Sequence, residues 1–411
     1  MKILFVSTEI PYPLDDGHHI RSFHILRILA KYHEIYFVAF IKNDREKGVI
    51  PSIDKFCQSV DVFPIRSNLR DPLFHFDLLK NLISPYPYIV QRYLNKAALY
   101  RMQEIIRQHD IEAVHLDMLH LSRYQEAFNY LPVVLTNHNV ESLRVQRLRD
   151  VEKNPLKLLY LNLQYKKLRD YESKICPVVS RCIVVSGEDK RILQEMCGSK
   201  NFEVVPNGVD TEYFRMDQTN SDTDGLVWVG SMSDQYNRDA VNYFMKDIFP
   251  LIKSALPNCK MVFVGKSPPE EILWQQQHYD DVITPGYVED IRPYVSGASV
   301  FIAPMRSGSG TKLKVLNAMA QGKPVVTTSV GAEGIEAEPD EEIVVADIPK
   351  EFAEKTVYLL RHPNVARRIG LRGRNVVEEK YAWNVIENKL KQIYLDTKIT
   401  YSERMRIFQH D

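Results

Sequence analysis

The stretch Val300-Phe301-Ile302-Ala303-Pro304, Met305-Arg306-Ser307-Gly308-Ser309-Gly310, Thr311-Lys312-Leu313-Lys314-Val315-Leu316-Asn317-Ala318-Met319-Ala320-Gln321-Gly322 runs on into Pro324-Val325-Val326-Thr327-Thr328. Its opening β-branched apolar run predicts a buried strand, its glycines a tight turn, and its apolar spacing of three and four a helix over 311–321 that Gly322 closes. Strand, helix and strand in that order are the unit of a parallel sheet covered by helices on both faces.

Outward from this segment the same alternation recurs. The second half predicts strands at Gly225–Gly230, Met261–Gly265 and Val282–Thr284, with helices near 239–255 and 290–297 between them. In the first half, Lys2–Ser7 reads as a strand, Asp15-Asp16-Gly17 as a turn, His18–Tyr32 as a helix and Glu34–Phe40 as the next strand. Further strands are expected at Ser59–Pro64, Ala113–Leu116, Val133–Thr136 and Cys182–Ser186. Between the halves lies the turn-rich Val204-Val205-Pro206-Asn207-Gly208-Val209-Asp210. The expected domains are therefore 1–206 and 207–382, with a last helix from Trp383 that crosses back to the first domain. The fold class is α/β, two Rossmann-like domains facing across a cleft onto which the C-terminal ends of both sheets open, where such sheets bind ligands.

Composition agrees with two ordinary globular domains. The chain has 411 residues, 45% hydrophobic and 26% charged, beyond the size at which one core keeps growing. The 53 basic and 53 acidic residues cancel, although residues 1–200 carry an excess of six positive charges. That excess is too small for duplex nucleic acid, so no nucleic-acid partner is expected. Five cysteines show neither a C-x-x-C pair nor zinc spacing, so no disulfide framework and no metal are expected, and a cytoplasmic location fits. No stretch is long and apolar enough for a membrane span.

A glycine-rich turn opening a helix offers free N–H groups and a positive dipole end to a phosphate. On a helix drawn from Thr311, the residues Gly310, Lys314, Asn317 and Gln321 share one face, so Lys314 is expected to point with the loop and Lys312 away from it. The Gly-Lys-Ser/Thr ending of a nucleoside triphosphatase loop is missing. In the first half, Val133–Thr136 runs into Asn137-His138-Asn139-Val140-Glu141 at the end of a strand that should border the cleft. Gly17 and Arg21 follow the first strand, where a backbone can approach a ligand and a guanidinium can meet an anion. From Arg144 to Lys174 a basic helix carries leucines, which is compatible with a peripheral membrane contact through 144–174, at the inner membrane face, although the interrupting Asp150, Glu152, Asp170 and Glu172 favour a solvated helix packed on its own domain.

The run Gly308-x-Gly310-Thr311-x-x-Lys314-x-x-Asn317-Ala318-Met319-Ala320-x-Gly322-x-Pro324-Val325-Val326 resembles the donor-binding segment of the family-4 retaining glycosyltransferases of GT-B architecture. Val229-Gly230-Ser231-Met232 with Asn237, Pro206-Asn207-Gly208-Val209-Asp210, Gly286-Tyr287-Val288-Glu289-Asp290 and Gly331-Ala332-Glu333-Gly334 recur in that family's order. In the first domain, Asp16-Gly17, Arg21 and His33-Glu34-Ile35 resemble the family's opening more loosely. The resemblance implies metal-independent, retaining transfer of a sugar from a UDP- or GDP-linked nucleotide sugar to a hydroxyl of a glycan or lipid-linked acceptor, with no cofactor. It implies donor contacts at Gly230, Ser231, Tyr287, Val288, Gly308, Ser309, Gly310, Thr311 and Asn317, with Tyr287 and Val288 near the base and Ser231 near the phosphates. Lys314, with Arg238 nearby, would face the charge that develops on the departing diphosphate. His138 takes the position of a histidine beside the reacting sugar, and Gly17, Arg21 and Glu141 would line the acceptor side. One departure stands out: the family's pair of glutamates eight residues apart is replaced by Ser309 and Asn317. A catalytically silent assembly partner, or another nucleotide-sugar enzyme such as a non-hydrolysing epimerase, are the alternative readings.

Overall fold

The computed structural model describes residues 1–65, 72–128, 130–216, 223–278, 280–308 and 310–408; for 72–73, 151, 223–224 and 400–408 it describes the backbone alone. The chain divides into two compact units, Met1–Pro206 together with the segment from Glu387 onward, and Asn207–Ile386.

The first unit is built on β1 Lys2–Ser7, β2 Glu34–Ile41, β3 Ser59–Pro64, β4 Ala113–Asp117, β5 Val133–Thr136, β6 Arg181–Val184 and β7 Phe202–Val204, in sheet order β3-β2-β1-β4-β5-β6-β7. Every adjacent pair is parallel. The central strands are buried on both faces, as parallel strands between helices must be, which is why Ile3-Leu4-Phe5-Val6 and Ile35–Ile41 are unbroken apolar runs. Strand order reverses between β1 and β4, so the two strands diverge into loops at one point on the C-terminal edge. There Gly17–Ala30 begins as a helix, its first turn capped by the Asp16 carboxylate accepting from His19 N at 2.9 Å.

Three boundaries in this unit depart from the sequence reading. The strand Phe202–Val204 was not expected; three residues are too short to show a period. The basic helix expected over 144–174 is two helices, Glu141–Val151 and Pro155–Ile175. Asn154 caps the second, accepting from Leu156 N and Lys157 N, and Pro155 supplies the fixed φ that starts it. The helix from Trp383 extends to Phe408, and from Glu387 onward it belongs to the first unit. Tyr394 is fully buried there with its hydroxyl 2.5 Å from His115 Nδ1, while Glu387 meets Lys31 and Tyr32 at 2.5 Å and Lys398 meets Glu112 at 2.9 Å.

The second unit holds β8 Thr223–Val229, β9 Lys260–Val264, β10 Val282–Gly286, β11 Ala298–Ala303, β12 Val325–Thr327 and β13 Val344–Val345, all parallel in the order β10-β9-β8-β11-β12-β13. Alternate residues feed two cores: Leu226, Trp228, Met261, Phe263, Val300 and Ile302 on one face, Val227, Val264, Phe301 and Ala303 on the other. Order reverses between β8 and β11. The helix expected over 239–255 is interrupted, running Gln235–Tyr243, then a wider π turn at Phe244–Ile248, then Phe249–Ala255. Pro250 has no N–H to continue an α ladder, and the wider turn absorbs the gap. Among the described residues no helix is long and apolar enough to cross a membrane.

Candidate functional site

In the second unit the reversal between β8 and β11 gathers the glycine-rich segments. After β8 the chain passes Gly230, where an added Cβ would lie 2.6 Å from Lys314 Nζ and 2.8 Å from the Trp228 ring. After β9 comes Gly265 at φ 152°, where a Cβ would lie 1.8 Å from the Gly230 carbonyl oxygen. Neither position can hold a side chain, so two strand ends meet backbone to backbone beside the lysine.

After β11, Gly308 and Gly310 take φ of 116° and 72°, which bends the loop back to the helix. That helix spans Leu313–Ala320, two residues later than the periodicity predicts, with Lys312 in the extended cap position and no side chain capping it. The N–H groups of Leu313 and Lys314 therefore have no acceptor among the described residues, the condition under which a helix start binds an anion. The buried Thr311 hydroxyl likewise has no partner among them.

Lys314 lies under this loop. Its ammonium donates to Asn237 Oδ1 at 2.6 Å and sits 4.4 Å from the Trp228 ring centre, and among the described residues it makes no ion pair. Burial pushes its pKa from 10.5 down to about 7, opposed by Asp234 and reinforced by Lys312. A desolvated cation without a counter-ion is costly, and an arriving anion would remove that cost. Asn237 is itself fixed by donating to the Ser231 carbonyl at 2.8 Å, and Ser231 shares a hydroxyl bond with Ser233 at 2.7 Å.

The placement of Lys312 corrects the sequence expectation. It was expected to point away from the loop, on the assumption that the helix already includes it. Because it precedes the helix, its ammonium folds back to donate to the Gly310 carbonyl at 2.7 Å. Arg238 is exposed, its Nε donating to the Met232 carbonyl at 3.1 Å. Tyr287 is 74% exposed and Val288 packs against the core. Asn317 is half-buried, and its side chain makes no hydrogen bond among the described residues. Ser309 lies outside the described residues.

In the first unit the corresponding reversal, between β1 and β4, collects a polar chain. His138 Nε2 lies 2.8 Å from Asp117 Oδ1, and His138 Nδ1 lies 3.2 Å from His18 Nδ1. His18 Nε2 lies 3.3 Å from the Thr8 hydroxyl and 3.5 Å from Glu9 Oε1. Asp117 is fully buried at the end of β4 and also accepts from Ser22 Oγ at 2.5 Å. Although burial opposes it, the histidines around Asp117, His138 first, hold its carboxyl far below the usual carboxylate range. Asp117 and His18 were not singled out from the sequence. A signal existed: Asp117 is opposite Thr136 in the β4/β5 register, so two adjacent strands end in Asp117 and, two residues beyond Thr136, His138.

Other first-unit candidates have different surroundings. Arg21 is buried and its guanidinium donates to the Val205 carbonyl at 2.8 Å and the Pro206 carbonyl at 3.0 Å. It ties the first helix to the end of the sheet and is not presented to an anion, contrary to expectation, because one turn into that helix faces the sheet. Glu141 starts its helix, buried, and accepts from Arg144 Nε at 2.9 Å, while its N–H donates to Glu172 Oε1 at 2.7 Å. Gly17 is exposed at the helix start. Among the described residues one trio, Asp15, Asp16 and His19, brings three potential metal-ligating atoms within 4.8 Å of one another. Its two carboxylates are exposed and its members are already used: Asp16 caps the helix, and His19 Nδ1 lies 2.8 Å from the Pro13 carbonyl.

Known proteins resemble this chain in sequence and in fold. Residues 223–362 match the model for glycosyl transferases group 1, and residues 55–213 match the model for glycosyltransferase family 4. An uncharacterized 44.6 kDa protein in the cps region of Klebsiella pneumoniae is 22% identical, the alignment covering 92% of this chain and 96% of that protein. Sucrose-phosphate synthase from Thermosynechococcus elongatus superposes with a TM-score of 0.73 at 17% identity, covering 96% of this chain and 98% of that one. HepE of Anabaena in complex with UDP does so with a TM-score of 0.65 at 12% identity, covering 96% and 100%. Each matched glycosyltransferase model falls on most of one unit, and the structural likeness extends over both, so the chain has the two-domain fold of the GT-B glycosyltransferases and carries a segment similar to glycosyltransferases in each unit.

Proposed function

We propose that this chain is a glycosyltransferase that moves a sugar, with retention and without a metal, from a UDP- or GDP-linked donor to a hydroxyl of a glycan or lipid-linked acceptor. The observation that carries the donor side is Lys314, a buried ammonium with no ion-pair partner among the described residues, beneath an uncapped helix start and two left-handed glycines. Departure of the nucleotide leaves growing negative charge on its diphosphate. A cation and two backbone N–H groups already in place, in poorly solvated surroundings, stabilise that charge without having to reorganise. HepE, crystallised with UDP, supports a nucleotide ligand for this fold. In the retaining scheme the departing phosphate takes the acceptor proton, and Asn317 holds the ribose diol through a neutral amide. The exposed Leu156 and Leu159, beside Lys153 and Lys157, support peripheral contact with a bilayer carrying a lipid-linked acceptor.

Titration calorimetry with UDP and GDP, followed by turnover with a panel of nucleotide sugars, tests the reading. Binding of one nucleotide and transfer of its sugar is expected, and the anomeric configuration of the product decides retention. A protein that binds neither nucleotide refutes the donor assignment; one that binds and never transfers is the silent homologue.

A further inference from the structure

The first-unit polar chain has a direction that follows from its bonding. Asp117 is ionised, so His138 must present Nε2–H to it. A neutral His138 then has a bare Nδ1, and the nitrogen facing it at 3.2 Å, His18 Nδ1, must carry the hydrogen. A neutral His18 protonated at Nδ1 is bare at Nε2. The imidazole nearest solvent therefore ends the chain with a lone pair. Exposure falls along the same line: the side chain of His18 is 19% exposed, that of His138 7%, and that of Asp117 0%.

We infer that His18 Nε2, and not His138, is the group of this unit that meets substrate, accepting a hydrogen bond from a sugar hydroxyl, with His138 and Asp117 as positioning residues that impose this polarity. The inference rests on the glycosyltransferase reading only for the class of ligand. The Thr8 hydroxyl lies against this nitrogen, and it has an alternative acceptor in the Met118 sulfur at 3.5 Å, so a substrate hydroxyl can take its place.

Proton count sets the polarity. One proton added to the pair, whichever ring takes the charge, still leaves His138 Nε2–H on Asp117 and a single hydrogen between the two Nδ1 atoms, so the remaining hydrogen sits on His18 Nε2 and the site changes from acceptor to donor. The charged groups facing His18 are Asp117, Glu9 and Asp16 on one side of the balance and His138 on the other, with burial lowering its pKa first and His138 second. Glu9 is drawn off by Lys42 at 2.9 Å and His19 at 3.4 Å, which limits its repulsion of a bare Nε2.

Two-bond proton–nitrogen spectra of the full chain labelled with 15N-histidine read the tautomers directly, with His18→Gln and His138→Gln supplying the assignments. At mildly alkaline pH, His18 should be bare at Nε2 and His138 bare at Nδ1. Asp117→Asn should invert both, because an amide can donate to His138 Nε2. Glucose, added alone as the hydroxyl probe, should shift the His18 Nε2 resonance in the wild type and not in Asp117→Asn. A hydrogen on His18 Nε2 in the wild type at that pH overturns the polarity, and an unmoved Nε2 resonance at saturating glucose overturns the contact. Neither readout depends on turnover, so failure of the transferase reading would appear separately, as absence of transfer from every donor.

Discussion

Replacing Lys314 with methionine keeps an unbranched side chain one atom shorter and removes the ammonium with its bond to Asn237, and two opposite effects should follow. The folded ammonium titrates at about 7 against an ordinary 10.5. Between these values the unfolded chain holds the extra proton, so wild-type stability rises with pH across that window and the burial cost is complete below its lower end. At about 1.4 kcal/mol per pH unit the full span amounts to about 5 kcal/mol. The side chain keeps some solvent contact, which reduces the measurable cost to about 1–3 kcal/mol. Lys314→Met should therefore be more stable than wild type by about that amount near pH 6.5, with the difference closing toward pH 10. Loss of a bond to a charged group should at the same time weaken UDP binding by about 1.5–3 kcal/mol, roughly 10- to 150-fold. Wild-type binding should take up a proton above pH 7, so affinity declines as pH rises. Urea denaturation across this pH range and calorimetry in two buffers of different ionisation enthalpy measure both effects. A variant that is less stable at pH 6.5, or that binds UDP as the wild type does, would refute the idea that Lys314 is an unpaired cation awaiting an anion.

Asn317→Glu should bind UDP equally well or up to about tenfold tighter by calorimetry, since a carboxylate bonds a ribose diol more strongly than an amide does; lost binding would remove Asn317 from the donor pocket. Tyr394→Phe strands the buried His115 Nδ1 and should cost about 1–3 kcal/mol in chemical denaturation, where an unchanged midpoint would show that the bond contributes nothing. Glu172 is buried and accepts from Glu141 N and Ser142 N, with burial raising its pKa from 4.5 to about 7. The folded state holds the extra proton between those values, so this group makes stability fall as pH rises through them. Glu172→Gln should flatten that part of the stability profile, and a profile identical to wild type would assign the slope to other groups.

Both sheets were legible in the sequence because buried parallel strands are written as short apolar runs, and eleven of these runs fall on strands of the structure. What escaped were strands too short to have a period, such as Phe202–Val204 and Val344–Val345, and helix starts set by backbone rather than pattern. Lys312 illustrates the second kind. Spacing alone counts it into the helix, but the left-handed Gly310 delays the first turn and leaves the lysine folded over the loop. Lys314 was legible because glycines, a preceding strand and an apolar stripe fixed its neighbourhood together. The Asp117–His138–His18 chain was not, because its members come from residues 18 to 138 and meet only through the order of strands in the sheet. Arg21 misled for a related reason: sequence shows a charge near a turn and does not show the Val205 and Pro206 carbonyls that already use it.

The return of the last helix to the first unit has a consequence for how the protein is made. Residues 207–386 are in effect an insertion within a unit whose final segment begins at Glu387. During translation the ribosome must complete the whole second unit before Tyr394 exists to cover His115. Until then the seven-stranded unit shows a polar and aromatic scar where its last helix belongs, open to chaperones and proteases. The second unit is contiguous and has no such delay. The order of maturation should therefore run opposite to the order of synthesis, with the unit translated later finished first.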